Sequence, residues 1–110
     1  MFSKAKGDIA EAQAAKYLKK HGFKIIETNY FAKKMGEIDI IASKDNVYHF
    51  VEVKSGTGFD PIYNLTPAKL RKIIKSTQLY LKEFHIQNSY CIDALIIRDQ
   101  EIDFIENVTF

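Results

Sequence analysis

Apolar residues recur at two spacings along the chain, and these spacings predict seven structural elements. Helical spacing marks a first helix from Ser3, its predicted N-cap, to His21, with Gly22 as the stop signal. A second helix is predicted to open at Thr66 and Pro67. Short strand-like runs cover Lys24 to Tyr30, Gly36 to Ser43, Val47 to Lys54, Ser89 to Ile97 and Glu101 to Val108. The order α-β-β-β-α-β-β predicts an α/β fold, with a mixed β-sheet flanked by helices on both faces.

The second and third strands are predicted to form a β-hairpin with a fixed register. Only Asp45 and Asn46 separate the two apolar runs, and two polar residues make a tight turn. Counting outward from this turn places Asp39 opposite Glu52, and Glu37 opposite Lys54. Alternation then puts these side chains on one face of the sheet, with Cβ atoms of facing residues about 4.5–5.5 Å apart.

Two facing carboxylates repel each other, so the predicted pair of Asp39 and Glu52 requires a compensating partner. A shared proton, the ammonium group of Lys54 or a divalent cation would each serve. Mg²⁺ and Mn²⁺ suit a site with few carboxylates that is completed by water and phosphate oxygens. Lys54 would then steady the attacking water or neutralise charge on the phosphate. The spacing alone leaves open a simple salt-bridge cluster at the end of a sheet.

Three further residue types bear on the candidate chemistry. Glu11 lies on the edge of the apolar stripe of the first helix and is predicted to face inward. Cys91 is the only cysteine, which excludes an internal disulfide and favours a small buried apolar side chain. The three histidines have no zinc-like spacing, and His49 is predicted to be a core residue.

Length and charge limit the classes of protein to consider. The chain has 110 residues and a net charge of +2, which predicts one domain over residues 1–110. Lys and Arg dominate residues 1–34 and 65–86, whereas acidic residues dominate 35–64. This pattern favours a nucleic-acid partner only weakly, because solvated basic helix faces are common. No run reaches the ~20 apolar residues of a membrane span, and no signal-peptide core is present, so we expect a cytoplasmic protein with no membrane partner.

Several segments together carry a family resemblance across nearly the whole chain. They are GDIAEAQAAKYLKKHGFKIIETNY, GEIDIIA, VYHFVEVK, the lysine-bearing helix from Thr66, and YCIDALII. In this order they resemble the YraN-like family of small uncharacterised bacterial proteins. That family is assigned to the restriction-endonuclease-like PD-(D/E)xK nucleases, close in fold to Holliday-junction resolvases. The resemblance therefore implies a restriction-endonuclease-like fold.

The resemblance also implies roles for individual residues. Asp39 and Glu52 would be metal ligands for Mg²⁺ or Mn²⁺, Lys54 the catalytic lysine, and Glu11 an outer carboxylate acting on the metal through water. Lys69 and Lys72 match basic positions expected near the nucleic acid. Glu37 and Asp93 also match family positions; from the predicted register we expect Glu37 to pair with Lys54, and we expect Asp93 to be structural.

One departure from the family pattern concerns the residues after Lys54. The family continues with Thr and Arg, whereas this chain reads Ser55 and Gly56 with no Arg. The leading hypothesis is a metal-dependent endonuclease acting on DNA, including branched or flap DNA. The alternatives are a non-catalytic nucleic-acid-binding module and a plain scaffold. A homodimer would suit a resolvase that cuts two strands, but the sequence shows no self-complementary interface.

Overall fold

A computed structural model describes residues 2–32, 36–99 and 101–109, with side chains of the first helix from residue 8 onward. The elements are α1 (Phe2–Lys20), β1 (Lys24–Phe31), β2 (Glu37–Lys44), β3 (Val47–Gly56), a 3-10 helix (Pro61–Asn64), α2 (Pro67–Glu83), β4 (Tyr90–Arg98) and β5 (Glu101–Ile105). The predicted order of helices and strands is confirmed. The last strand ends earlier than predicted. The segment from Ser55 to Asn64, whose two glycines and one proline predict a loop, is partly strand and 3-10 helix.

The ends of the two helices follow local sequence signals. Gly22 adopts a φ of +90° after α1, a conformation that stops a helix at little cost for glycine. Helix α2 begins after Thr66, whose hydroxyl accepts a hydrogen bond from the backbone N–H of Lys69 at 3.3 Å. Helix α1 already includes Ser3, whose predicted capping side chain lies outside the described residues. The sequence also predicts a turn at Arg98, Asp99 and Gln100 between the last two strands, and Gln100 lies outside the described residues.

The five strands form one mixed sheet in the order β1-β2-β3-β4-β5. Neighbouring strands are antiparallel except β3 and β4, which are parallel. Parallel neighbours need a crossover connection, and α2 supplies it. The predicted mixed sheet with helices on both faces is confirmed, and it is compatible with a restriction-endonuclease-like fold. None of the helices in the described residues is both long and apolar enough to cross a membrane.

Two apolar clusters hold the helices against the two faces of the sheet. The α1 cluster joins Ala10, Ala14 and Leu18 of the helix to strand residues that include Ile40, Ala42, Val51, Val53, Leu95 and Ile97. The α2 cluster joins Ile73 and Tyr80 to Ile38, Ile41, Phe50 and Ile92. Burial of apolar surface on both sides is the main stabilising contribution to such a sandwich.

The predicted register of the hairpin is confirmed from the turn as far as Ile40 and Val51. Asp45 and Asn46 both have positive φ, 52° and 66°, as a tight hairpin turn between right-twisted strands requires. The alternation predicted for β2 is wrong at one place. Ile38 and Ile40 belong to opposite clusters, although two residues so spaced should share a face. The alternation of β2 is therefore interrupted at Asp39.

Candidate metal centre

Asp39 lies where the hairpin stops being a regular ladder. The predicted direct pairing of Asp39 with Glu52 is not part of the register, which ends one pair earlier. Instead, Oδ2 of Asp39 accepts a hydrogen bond from the backbone N–H of Val53 at 2.8 Å. Because the alternation of β2 changes here, Asp39 interacts both with Glu11 of α1 and with Glu52 on the α2 face of β3.

Glu52 is a carboxylate largely removed from water, with a side chain 13% exposed. Its Oε2 lies 3.5 Å from Nζ of Lys54, whereas its Oε1 is buried and has no hydrogen-bond partner among the described residues. Burial and the neighbouring charge of Asp39 raise the pKa of Glu52 to about 8, although Lys54 acts in the opposite direction.

Glu11 of α1 faces the sheet, as predicted, and its side chain lies beside Asp39. Carboxylate oxygens of Glu11, Glu37 and Asp39 all lie within 4.8 Å of one another. Burial, followed by the charges of Asp39 and Glu37, raises the pKa of Glu11 to about 7. Four carboxyl groups therefore crowd one end of the hairpin, and the pKa values of Glu11 and Glu52 are raised to about 7 and about 8.

The predicted pairing of Glu37 with Lys54 is wrong. Lys54 forms its ion pair with Glu52, its neighbour two residues away on the same strand face. Glu37 instead joins Glu11 and Asp39, and burial with the charges of Asp39 and Asp8 raises its pKa. The pairing failed because the predicted register, on which it depended, ends before these residues.

Two lysines of α2 face the carboxylates across a cleft. A cleft of about 200 Å³ is lined by Gly36, Glu37, Glu52, Lys54, Lys69, Lys72 and Ile73. Both basic positions that were expected near nucleic acid therefore border the same space as Glu52 and Lys54. This space can hold a phosphate group and several waters, since one water occupies about 30 Å³ of liquid.

The arginine missing after Lys54 is not replaced by Arg98. Arg98 pairs with Gly56 in the register of β3 and β4, so it lies close in the sheet. However, its Nε donates to Oδ1 of Asp60 at 2.9 Å and its Nη1 to Oδ2 of Asp103 at 3.2 Å. The guanidinium group thus pairs with two carboxylates, one in the loop after β3 and one in strand β5.

The residues at this end of the hairpin fit a hard divalent cation. The donor set consists of carboxylate oxygens, which Mg²⁺ and Mn²⁺ prefer. A cation between Asp39 and Glu52 would relieve their repulsion and give the buried Oε1 of Glu52 a partner. These carboxylates are therefore the candidate ligands of such an ion.

A second cluster was missed by sequence analysis. Nδ1 of His49 lies 2.6 Å from Oδ2 of Asp93 and 3.1 Å from Sγ of Cys91. His49 is a buried core residue as predicted, but Cys91 is half-buried and in polar contact, which the apolar interpretation did not foresee. Asp93 is fully buried and also accepts from the backbone N–H of Asn107 at 2.9 Å, in line with a structural role. The register of the parallel strands β3 and β4 brings His49, Cys91 and Asp93 together. No turn joins these two strands directly, so the sequence does not predict their register.

Comparison with known proteins identifies relatives over almost the full chain. The model of a family described as "Uncharacterised protein family UPF0102" matches residues 10–105. A UPF0102 protein of Sulfurovum sp. is 59% identical over 94% of this chain and 92% of its own length. Another, of Wolinella succinogenes, is 57% identical over 98% of this chain and 99% of its own. A third, of Helicobacter hepaticus, is 53% identical over 99% and 98%.

Proposed function

The chain belongs to the uncharacterised protein family UPF0102, and from its own site we propose that it is a metal-dependent nuclease. The proposed reaction is hydrolysis of phosphodiester bonds in DNA, including branched or flap DNA. The observation that carries the proposal is the cleft that Glu52, Lys54, Lys69 and Lys72 share, beside Asp39. It combines carboxylates for a cation with ammonium groups for a phosphate.

In this proposal Asp39 and Glu52 hold Mg²⁺ or Mn²⁺ directly, and Glu11 acts on it through water. The bound ion supplies Lewis-acid polarisation of a phosphate oxygen and a lowered pKa of a bound water. The buried Oε1 of Glu52 and the exposure of only 13% of its side chain mean that the ligand is already desolvated. Desolvation strengthens its attraction to a divalent cation.

Lys54 serves the phosphate rather than the cation. Its Nζ is held 3.5 Å from Oε2 of Glu52, with the side chain 21% exposed towards the cleft. From there the ammonium group can donate to a non-bridging phosphate oxygen and stabilise the charge that develops as water attacks.

Lys69 and Lys72 bind the nucleic-acid backbone. They lie three residues apart on α2, so they occupy one face of the helix, and both line the cleft. Two ammonium groups on one wall can neutralise adjacent phosphates and set the position of the strand relative to the carboxylates. Such contacts position a backbone without reading its sequence.

The test is cleavage of labelled duplex, single-stranded and four-way-junction DNA by the purified chain in Mg²⁺ or Mn²⁺. We expect cleavage of at least one substrate, abolished by EDTA and by Asp39→Asn. The matched control is Asp45→Asn, which makes the same change at the other end of the same hairpin. Cleavage that persists in EDTA or in Asp39→Asn, or no cleavage of any substrate, would contradict the proposal.

A non-catalytic nucleic-acid-binding module is the second candidate. The absence of Arg after Lys54 favours it, together with the commitment of Arg98 to Asp60 and Asp103. In that case DNA affinity falls with salt, yet Glu52→Ala leaves affinity unchanged and Mg²⁺ produces no binding heat. Calorimetry with Mg²⁺ or Mn²⁺ separates the two candidates, because a bound ion that Asp39→Asn removes favours the nuclease.

A further inference from the structure

The cluster of His49, Cys91 and Asp93 lies away from the carboxylates and has a different chemistry. His49 and Cys91 are register partners on the parallel strands β3 and β4, and Asp93 follows two residues after Cys91. Alternation therefore puts all three side chains on the face of the sheet that α1 covers. Glu52 and Lys54 point to the opposite face, towards α2.

The three polar atoms converge on one point. Nδ1 of His49, Sγ of Cys91 and a carboxylate oxygen of Asp93 lie within 4.8 Å of one another. A cysteine nucleophile activated by a histidine needs the thiol at one ring nitrogen and the carboxylate at the other. Here both contacts are to the same nitrogen, Nδ1, so that relay cannot operate. A nitrogen, a sulfur and an oxygen that lie this close together could instead hold a metal ion.

We propose that His49, Cys91 and Asp93 form a second metal site, which takes a borderline-soft transition-metal ion of the Zn²⁺ class. Zn²⁺ accepts this mixture of nitrogen, sulfur and oxygen ligands, whereas Mg²⁺ does not. Tetrahedral Zn²⁺ with bonds of about 2.0–2.3 Å separates its ligand atoms by roughly 3.3–3.6 Å. The contacts of Nδ1 of His49 with Asp93, at 2.6 Å, and with Cys91, at 3.1 Å, would thus each lengthen by less than ~1 Å when the ion binds.

Charge also balances at this site. A thiolate and a carboxylate together carry two negative charges, which a divalent cation neutralises, while the imidazole remains neutral. The thiol proton leaves to solvent as the Sγ–metal bond forms. A neutral assembly suits this location, because Asp93 is fully buried and His49 is only 5% exposed.

The surroundings hold two of the ligands in place and leave a route for the ion. The His49 ring packs edge-on against Phe23, with centroids 4.9 Å apart and an interplanar angle of 86°. The second oxygen of Asp93 accepts from the backbone of Asn107, the kind of outer contact that orients metal ligands. His49, Cys91 and Glu106 border a cleft of about 470 Å³, through which an ion can enter. Water or Glu106 can complete the coordination.

Cobalt spectroscopy tests this site with little ambiguity. Since Cys91 is the only cysteine, sulfur-to-cobalt charge-transfer absorption can come only from this side chain. We expect EDTA-treated, desalted protein under a phosphine reductant to develop this near-ultraviolet band with Co²⁺. One equivalent of Zn²⁺ should bleach it. Carboxylate-only binding at Asp39 produces no such band, so Asp39→Asn should leave it unchanged.

Variants of the other two ligands show whether the whole cluster binds. His49→Gln and Asp93→Asn should each weaken Co²⁺ binding by at least the ~10–100-fold that loss of an outer partner costs. His85→Gln is the matched control, because His85 is exposed and does not line the cleft beside the cluster. Circular dichroism verifies that each variant folds, and the wild-type spectrum stands independently of them. The proposal is overturned if the wild type develops no charge-transfer band, or if the band is unchanged in His49→Gln. The contact between His49 and Asp93 would then be a buried hydrogen bond without a metal.

Discussion

Oδ2 of Asp39 accepts the backbone N–H of Val53 at 2.8 Å, across the two strands of the hairpin. This contact begins where the regular register ends, so a side chain satisfies a backbone donor that the ladder leaves free. It also fixes the carboxylate beside Glu52, the residue before Val53. The same hydrogen bond therefore stabilises the end of the hairpin and positions the candidate metal ligands.

Asp39→Asn should separate metal binding from folding. The amide oxygen of Asn can still accept from Val53, so we expect the free energy of unfolding to change by no more than about 1 kcal/mol. Loss of the negative charge should reduce Mn²⁺ affinity and any DNA cleavage by at least ~100-fold. Calorimetry and a cleavage assay measure these effects, with Asp45→Asn as the control. Full Mn²⁺ affinity in Asp39→Asn would exclude Asp39 as a ligand.

The stability of the metal-free protein should fall as pH rises from about 4.5 to 8. The folded-state pKa of Glu52, about 8, lies above its ordinary value of 4.5. Between these values the folded chain holds a proton that the unfolded chain releases, so raising the pH favours unfolding. Burial and the charge of Asp39 are the causes, and both disappear on unfolding.

Glu52→Gln tests this dependence by thermal denaturation in EDTA. Above pH 8 we expect the variant to melt at least about 4 °C higher than the wild type, since ~1 kcal/mol shifts a domain of this size by about 4–8 °C. Near pH 4.5 the two should melt at similar temperatures. Exposed Glu101→Gln is the control and should follow the wild-type curve. A pH profile that is unchanged by Glu52→Gln would show that Glu52 does not hold the proton.

Lys69→Gln and Lys72→Gln should weaken DNA binding without affecting metal binding. Each lysine lines the cleft beside Glu52, and each phosphate contact contributes about 0.9 to the slope of log affinity against log salt. We expect each variant to reduce the slope by about 1 for duplex DNA. Fluorescence anisotropy at several salt concentrations measures it.

Lys82→Gln provides the control for these lysine variants. Lys82 is exposed in the last turn of α2, well along the helix from the cleft. Lys82→Gln changes the net charge by the same amount as the cleft variants, so it measures the general effect of losing one positive charge. Equal slopes for Lys72→Gln and Lys82→Gln would mean that the cleft is not where the backbone binds.

The turn of the hairpin should tolerate glycine but not alanine at position 46. Asn46 has a φ of 66°, which costs an alanine roughly 1–2 kcal/mol and a glycine very little. Its carbonyl accepts from the Asn88 side chain at 2.9 Å, a contact that both variants retain. We expect Asn46→Ala to lower the melting temperature by about 4–8 °C for each kcal/mol lost, and Asn46→Gly to stay close to wild type. Equal melting of the two variants would contradict this account of the turn.

The sequence predicted the part of the candidate site that local chemistry controls. A two-residue polar turn sets the register of the hairpin, and this register brought Asp39 near Glu52 without any knowledge of the rest of the chain. Helical spacing likewise turned Glu11 inward. These predictions needed only short-range geometry, in which one turn or one helical period determines the position of each side chain.

Long-range packing produces the contacts that local patterns could not predict. Alternation in β2 changes at Asp39 because Ile38 packs under α2 while Ile40 packs under α1, and the partner of Glu37 changes with it. The distance in sequence between His49 and Cys91 includes a whole crossover helix, so no local signal records their pairing. The same holds for Lys69 and Lys72, whose place beside Lys54 depends on how α2 lies across the sheet.

The sequence by itself determined the elements, their order, the hairpin and the residue types of a candidate divalent-cation site, because each follows from backbone preferences and periodic burial within a few turns or strands. Only the tertiary structure decided which carboxylates converge, that Lys54 pairs with Glu52, and that His49, Cys91 and Asp93 meet. Those contacts depend on the packing of two helices on opposite faces and on a parallel strand pair. Such packing is set by the summed burial of the whole chain rather than by any one segment.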